Sequence, residues 1–252
     1  MNSSTEGFQN EEHSIVEIDT WKFNLSGKPH SLQNHLENLV GEEKQRIEQG
    51  IFPELGERAT RSRLGLRWIL ADYLQCKPHE VPLIIGEHGK PELDSASPHF
   101  QKLHFNLSHC GDRALMAVSR DSILGVDLER IRQESPIEDL AQRCFSEKEQ
   151  KAWLESPEDR RRVWFFHLWV QKEAMVKAHG DGMTLPLRLF SGNPDAQALE
   201  GSISSDLPEI GNNLWRYHAE DCSGDLRSAI VFRGISAKIS DCDPESVGLS
   251  QW

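Results

Sequence analysis

Apolar and polar residues alternate through IVEIDTWKF (15–23), the period-two signature of a half-buried strand. Residues 32–49 carry a helical pattern that breaks near Gly41. The segment 54–75 predicts a long amphipathic helix, with Leu55, Ala59, Leu66, Ile69, Leu70 and Tyr73 along one face. Pro78 and Pro82 close that unit, and EHGKPEL (87–93) is turn chemistry built on Gly89 and Pro91. LHFNLSH (103–109), ALMAVSR (114–120) and ILGVDLERI (123–131) predict successive strands. Tight turns at CGDR and DS join them, which predicts an antiparallel meander. Ser146 with Glu149 is a capping-box signature for a short helix over SEKEQKAWL. A second long helix runs from about Glu158 to His179 and stops at Gly180. LPLRLF (185–190), LWRYHAE (214–220) and LRSAIVFRG (226–234) predict strands, the last two forming a hairpin.

The order of elements predicts an α+β fold of two similar halves packed in pseudo-twofold fashion. Each half is a small, mainly antiparallel sheet with a long helix packed on it. The expected boundaries are 1–14 as a disordered lead-in, 15–131 and 132–235 as the halves, and 236–252 as a loose tail.

Composition narrows the function. A chain of 252 residues with 37% hydrophobic side chains can bury a core without staples. Its net charge of −12 argues against a nucleic-acid footprint. The apolar runs are too short for a membrane span, and the first fourteen residues are polar and acidic, unlike a signal peptide. Five widely spaced cysteines with no C-x-x-C suit a reducing cytoplasm better than a disulfide framework or a zinc site. The expectation is therefore a cytoplasmic protein without nucleic-acid or membrane partners.

The second long helix holds an anomaly. Glu173 lies within about 60° of Phe166, Trp169, Val170 and Val176 on the helical wheel, with Lys177 one turn on. A carboxylate in an apolar stripe is costly unless something compensates it. Pairing with Lys177 at i,i+4 contributes only about 0.2–0.5 kcal/mol, so a further partner is required. GVDLERI supplies candidates, because Asp127 and Glu129 leave the same face of a strand, roughly 7 Å apart at Cα. Such a pair either stays solvated beside Arg130 or Arg132 or shares a hard cation such as Mg²⁺, with Glu173 as third oxygen donor. Lys177 is a compact cation suited to phosphate. Ser108 and His109, before a glycine-containing turn, are placed to meet an anion, and so is Lys90. Read singly, His109 and Lys90 are ordinary loop residues. Neither GxxxxGK[ST] nor GxGxxG occurs.

Together these residues resemble the 4′-phosphopantetheinyl transferases, in particular the two-halved monomeric type. GKPEL (89–93), FNLSHCGD (105–112), GVDLERI (125–131), FS-x-x-E (145–149) and FFHLWVQKEAMVKAHGDGMTLPL (165–187) stand in family order and spacing. EEKQR (42–46) and RSRLG (61–65) stand where the family has basic residues for the coenzyme A 3′-phosphate. The resemblance implies transfer of 4′-phosphopantetheine from coenzyme A to a serine of an apo acyl or peptidyl carrier protein, releasing 3′,5′-ADP. It also implies Mg²⁺, or Mn²⁺, held by Asp127, Glu129 and Glu173. Glu173 would take the serine proton, Lys177 would contact the phosphates, and Lys172 would support. Ser108, His109 and Lys90 would bind phosphates of coenzyme A, and Arg61 and Lys44 the 3′-phosphate. Cys110 departs from the small hydroxyl residue common at that place. Competing readings are a Mg²⁺-dependent pyrophosphohydrolase of a nucleotide and a non-catalytic carrier-binding module.

Overall fold

The computed structural model describes residues 15–27, 32–41, 43–45, 53–86, 89–97, 102–180, 182–211 and 213–249. The expected lead-in, 1–14, lies outside them. Strand β1 (Val16–Asn24) follows its alternation: Val16 and Ile18 face one way, Trp21 and Phe23 the other. Helix α1 (Pro53–Leu74) lays Leu66, Ile69, Leu70 and Leu74 over the Trp21–Phe23 face. A short hairpin follows, β2 (Leu83–Ile85) with β3 (Pro91–Leu93), and then β4 (His104–Cys110) and β5 (Arg113–Ser119). Gly111, at φ +58, turns β4 into β5, a backbone conformation that L side chains rarely adopt.

Strand β6 (Leu124–Arg130) departs from the expected meander. It does not pair with β5 but with β10 (Leu226–Arg233), antiparallel, with Ala229 opposite Asp127. Strand β6, the last element of the expected first half, thus lies in the second sheet. Its apolar residues Leu124, Val126 and Leu128 all find cover against the first sheet, which a continued meander in that sheet would not give them. Helices α2 (Ile137–Cys144), α3 (Glu147–Leu154) and α4 (Arg161–His179) come next. Ser146 caps α3 with the reciprocal Glu149 contact the sequence signalled, and Gly180, at φ +97, ends α4. Helix α2 carried too short an apolar pattern to be read.

The region 185–190, expected as a strand, is a 3₁₀ turn leading into the two-residue β7 (Phe190–Ser191). The unread β8 (Glu200–Ser205) joins β9 (Trp215–Asp221) and β10. Residues expected as a loose tail form β11 (Ala237–Cys242), which crosses back and pairs parallel with β1, Val16 opposite Ala237. An otherwise open edge of β1 explains the pairing: its backbone groups need partners.

The sheets are thus β11-β1-β5-β4 and β6-β10-β9-β8-β7. Between them pack Ile18, Leu115 and Ala117 from the first against Val126, Leu128, Ile230 and Phe232 from the second. Helix α4 covers the outer face of the second sheet through Val170, Ala174 and Met175 on Tyr217, Ala219, Ala229 and Val231. The layers run helix, sheet, sheet, helix. Each fully buried aliphatic or aromatic side chain contributes about 1.5–3 kcal/mol. Among the described residues, no helix is long and apolar enough to cross a membrane.

His167 on α4 is completely buried, edge-on to Tyr217 at 6.2 Å. Burial, with Arg227 nearby, pushes its pKa down to about 4. Unfolded histidine titrates near 6.5, so between about pH 6.5 and 4 the unfolded chain binds the extra proton. Stability is therefore expected to fall across that window by an amount on the order of 3 kcal/mol and to level below it. Denaturant titrations at pH 7 and pH 4.5 check this, and His167→Leu should flatten the difference.

Candidate active site

The site forms where three elements converge on the outer face of β6. Gly125 lets α4 approach: a Cβ there would fall 2.8 Å from the Lys177 carbonyl carbon and closer still to Ala174 O and Ala178 N. That approach brings Lys177 over Asp127, two residues further along the same face. Lys177 Nζ donates to Asp127 Oδ1 at 2.6 Å and to Ser108 Oγ at 3.0 Å, and Ser108 Oγ donates to the same carboxylate oxygen at 3.1 Å. Asp127 is 5% exposed. Its second oxygen, Oδ2, is buried with no hydrogen-bond partner. An acceptor left so in a protein interior costs about 1–3 kcal/mol and calls for explanation.

Glu129 and Glu173 flank this carboxylate. Burial raises the pKa of each, and Asp127 raises both further by repulsion. Lys177 pulls the other way on both, and Arg132, 3.1 Å from Glu129, does so on that residue. The acids thus feel one another as the sequence reading required. Among the described residues, however, no group of three or more His, Cys, Asp or Glu side chains is close enough to hold a metal ion. The Lys177 ammonium occupies Asp127 Oδ1 instead.

The other sequence candidates are placed as follows. Lys90 reaches across from the β2–β3 hairpin and donates to the Lys177 carbonyl at 2.8 Å, at the last turn of α4. Its pKa is lowered by burial first and by Lys177 as well. His109, at the end of β4, is also lowered, by burial and then by Lys177 and Arg58, so it is near enough to the lysine to sense its charge. Arg61 is buried in α1, its guanidinium packed under Gly27, and burial lowers its pKa. Lys44 is exposed and lines a surface hollow with Lys77 and His79 that shares no residue with the acid cluster. Asp127, Ser108, Lys177 and Lys90 are therefore joined in one network, with Glu129, Glu173 and His109 around it.

Two residues that carry no assigned role in the sequence motifs help to hold this site. Asn106 Oδ1 accepts from the Val126 N–H at 2.8 Å. Glu149, read as a helix cap and as the end of FS-x-x-E, also pairs at 2.8 Å with Lys172, both buried. Lys172 further donates to the carbonyls of Leu187 (2.7 Å) and Phe190 (2.8 Å). A capping glutamate on a helix that must pack inward was the available signal.

Fold and site together define a two-halved α+β protein with an acid–lysine–serine network at the seam of its sheets. A family model described as the 4′-phosphopantetheinyl transferase superfamily matches residues 123–231, and one described as 4′-phosphopantetheinyl transferase, N-terminal, matches residues 19–121. These spans meet just before β6, where the chain passes from the first sheet to the second. The 4′-phosphopantetheinyl transferase HetI of a Nostoc species is 36% identical over 167 residues, 66% of this chain and 70% of that protein. The 4′-phosphopantetheinyl transferase Sfp of Bacillus subtilis is 31% identical over 184 residues, 68% of this chain and 77% of that one. A Xenopus laevis relative, the L-aminoadipate-semialdehyde dehydrogenase-phosphopantetheinyl transferase, is 33% identical over 68% of this chain and 56% of its own length. The chain belongs to the 4′-phosphopantetheinyl transferase superfamily. Its reaction class is transfer of a phosphopantetheine group.

Proposed function

We propose that the protein moves 4′-phosphopantetheine from coenzyme A to a serine hydroxyl of an apo acyl or peptidyl carrier protein. The serine oxygen bonds to the β-phosphorus, the bond from that phosphorus to the bridging oxygen breaks, and 3′,5′-ADP leaves. The observation that carries this reading is the buried Asp127 carboxylate, one oxygen engaged by Lys177 and Ser108 and the other left without a partner. An orphaned buried carboxylate oxygen flanked by two further acids is a donor set suited to a hard divalent cation. Asp127, Glu129 and Glu173, which are not gathered closely enough to hold an ion while Lys177 occupies Asp127, would hold Mg²⁺ or Mn²⁺ once the lysine leaves, and the ion would neutralise charge on a diphosphate.

This chain's own side chains supply the rest. Lys177 turns from Asp127 to a phosphate oxygen and steadies the leaving side. Glu173, its pKa raised by burial and by Asp127, is poised to accept the serine proton on a carboxylate oxygen. Ser108, His109 and Lys90 would bind the phosphates of coenzyme A, and Arg61 and Lys44 its 3′-phosphate. The described cysteines are all free thiols, which suits a monomer working in a reducing cytoplasm.

Incubation with coenzyme A, Mg²⁺ and a panel of apo carrier proteins should add one phosphopantetheine per carrier by mass spectrometry. The addition should stop in EDTA and return on adding Mg²⁺. Transfer that persists in EDTA would overturn the metal assignment. Release of free phosphopantetheine without any carrier would make the protein a hydrolase instead.

A further inference from the structure

Strands β4 and β6 are the facing edges of the two sheets, and no backbone ladder joins them among the described residues. What crosses that seam is side-chain chemistry. Asn106 Oδ1 accepts from the Val126 N–H at 2.8 Å, and two residues along β4 Ser108 Oγ donates to Asp127 Oδ1 at 3.1 Å. Residues two apart leave a strand on the same face, so one face of β4 grips two consecutive residues of β6. Asn106 is buried, 6% exposed. The Val126 N–H points away from β10 and has no strand partner on that side, so only an acceptor can satisfy it. That fixes which end of the carboxamide faces β6.

We infer that Asn106 is a positioning residue for the transfer reaction. Its carboxamide oxygen replaces the missing ladder partner of Val126 and so holds Asp127 at the height where Ser108 and Lys177 meet its carboxylate. Gly125, on the other side of Val126, is where the α4 backbone comes close enough to exclude a Cβ, so the pinned residue lies between that contact and Asp127. Hydrogen bonds from a side chain to an edge strand resist sliding along the strand, which packing of Val126 among Ile18 and Ile230 does not. Asn106 touches neither phosphate nor metal in this account. It acts through the position of β6. The inference rests on the transferase reading and adds a residue to it.

The test compares Asn106→Leu, close in volume but without an acceptor, with Asn106→Asp, which keeps the oxygen. Two quantities are read: kcat and KM for coenzyme A in the carrier assay, and hydrogen exchange at the Val126 amide. N106L should lower kcat on the order of 10²-fold, the penalty of a roughly 1 Å misplacement, with KM little changed. Its Val126 amide should lose protection while the β9–β10 amides keep theirs. N106D should restore Val126 protection and raise kcat above that of N106L. Should N106L not fold, Asn106→Ser, whose hydroxyl is too short to reach, serves in its place with the same expectation. Wild-type kcat in N106L, or equal loss in both variants with Val126 protection intact, would overturn the role. A wild-type protein that transfers nothing would instead sink the transferase reading and this role with it.

Discussion

Replacing Asp127 by alanine is expected to lower the rate of carrier modification by about 10³-fold or more while leaving the fold intact. Removing a single preorganised electrostatic group from a transfer site costs roughly 10²–10³ in rate, and Asp127 serves both Lys177 and the proposed cation. The fold should survive because the lysine left behind is not sealed in. Its side chain is 30% exposed, so water can solvate the ammonium once the carboxylate is gone. Asp127→Asn separates charge from shape. The amide keeps an oxygen for Ser108 but loses the negative charge, and activity should be as low as in the alanine variant. Carrier labelling by mass spectrometry and thermal unfolding, run side by side, check both expectations. An asparagine variant with wild-type turnover would show that the charge of Asp127 plays no part.

Replacing Lys172 by methionine is expected to destabilise the protein by about 3–5 kcal/mol, the cost of leaving one partner of a buried ion pair alone. Glu149, 1% exposed, would keep its hydrogen bonds from Ser146 N (2.7 Å) and Gly192 N (2.7 Å) but lose the Lys172 ammonium that balances its charge. The carbonyls of Leu187 and Phe190 would lose their donor as well. The double variant Lys172→Met with Glu149→Gln should recover part of that loss, because the buried charge is gone and the amide oxygen still accepts. Denaturant unfolding of the single and double variants makes the comparison. A single-variant loss below about 1 kcal/mol, typical of exposed pairs, would mean that water reaches the site. Because α4 carries Lys172 beside Glu173, which is one turn from Lys177, the pair also anchors the helix that presents the chemistry.

Much of the chemistry was legible in the chain because it is written at short range. The spacing of Asp127 and Glu129 guarantees a shared strand face. Glu173 and Lys177 in an apolar stripe demanded a partner, and Asp127, with its neighbours, is where Lys177 and the charge on Glu173 are felt. Gly125, in the same strand segment as the two acids, leaves the room that α4 uses. The capping box at Ser146 and the glycine stop at Gly180 formed as read, since both depend on a few neighbouring residues.

What the chain determined by itself was thus local: the long helices, most strands, and which acids and lysines share a face. Only the tertiary structure decided that β6 leaves the first sheet for the second and that β11 returns to pair with β1. The same holds for Asn106 across the seam, and for the burial of Glu149 and Lys172 together. Each of these pairs residues far apart along the chain, and alternation specifies a strand's faces without naming its edge partner. Which edge it joins is settled by where a second apolar layer is available to cover it.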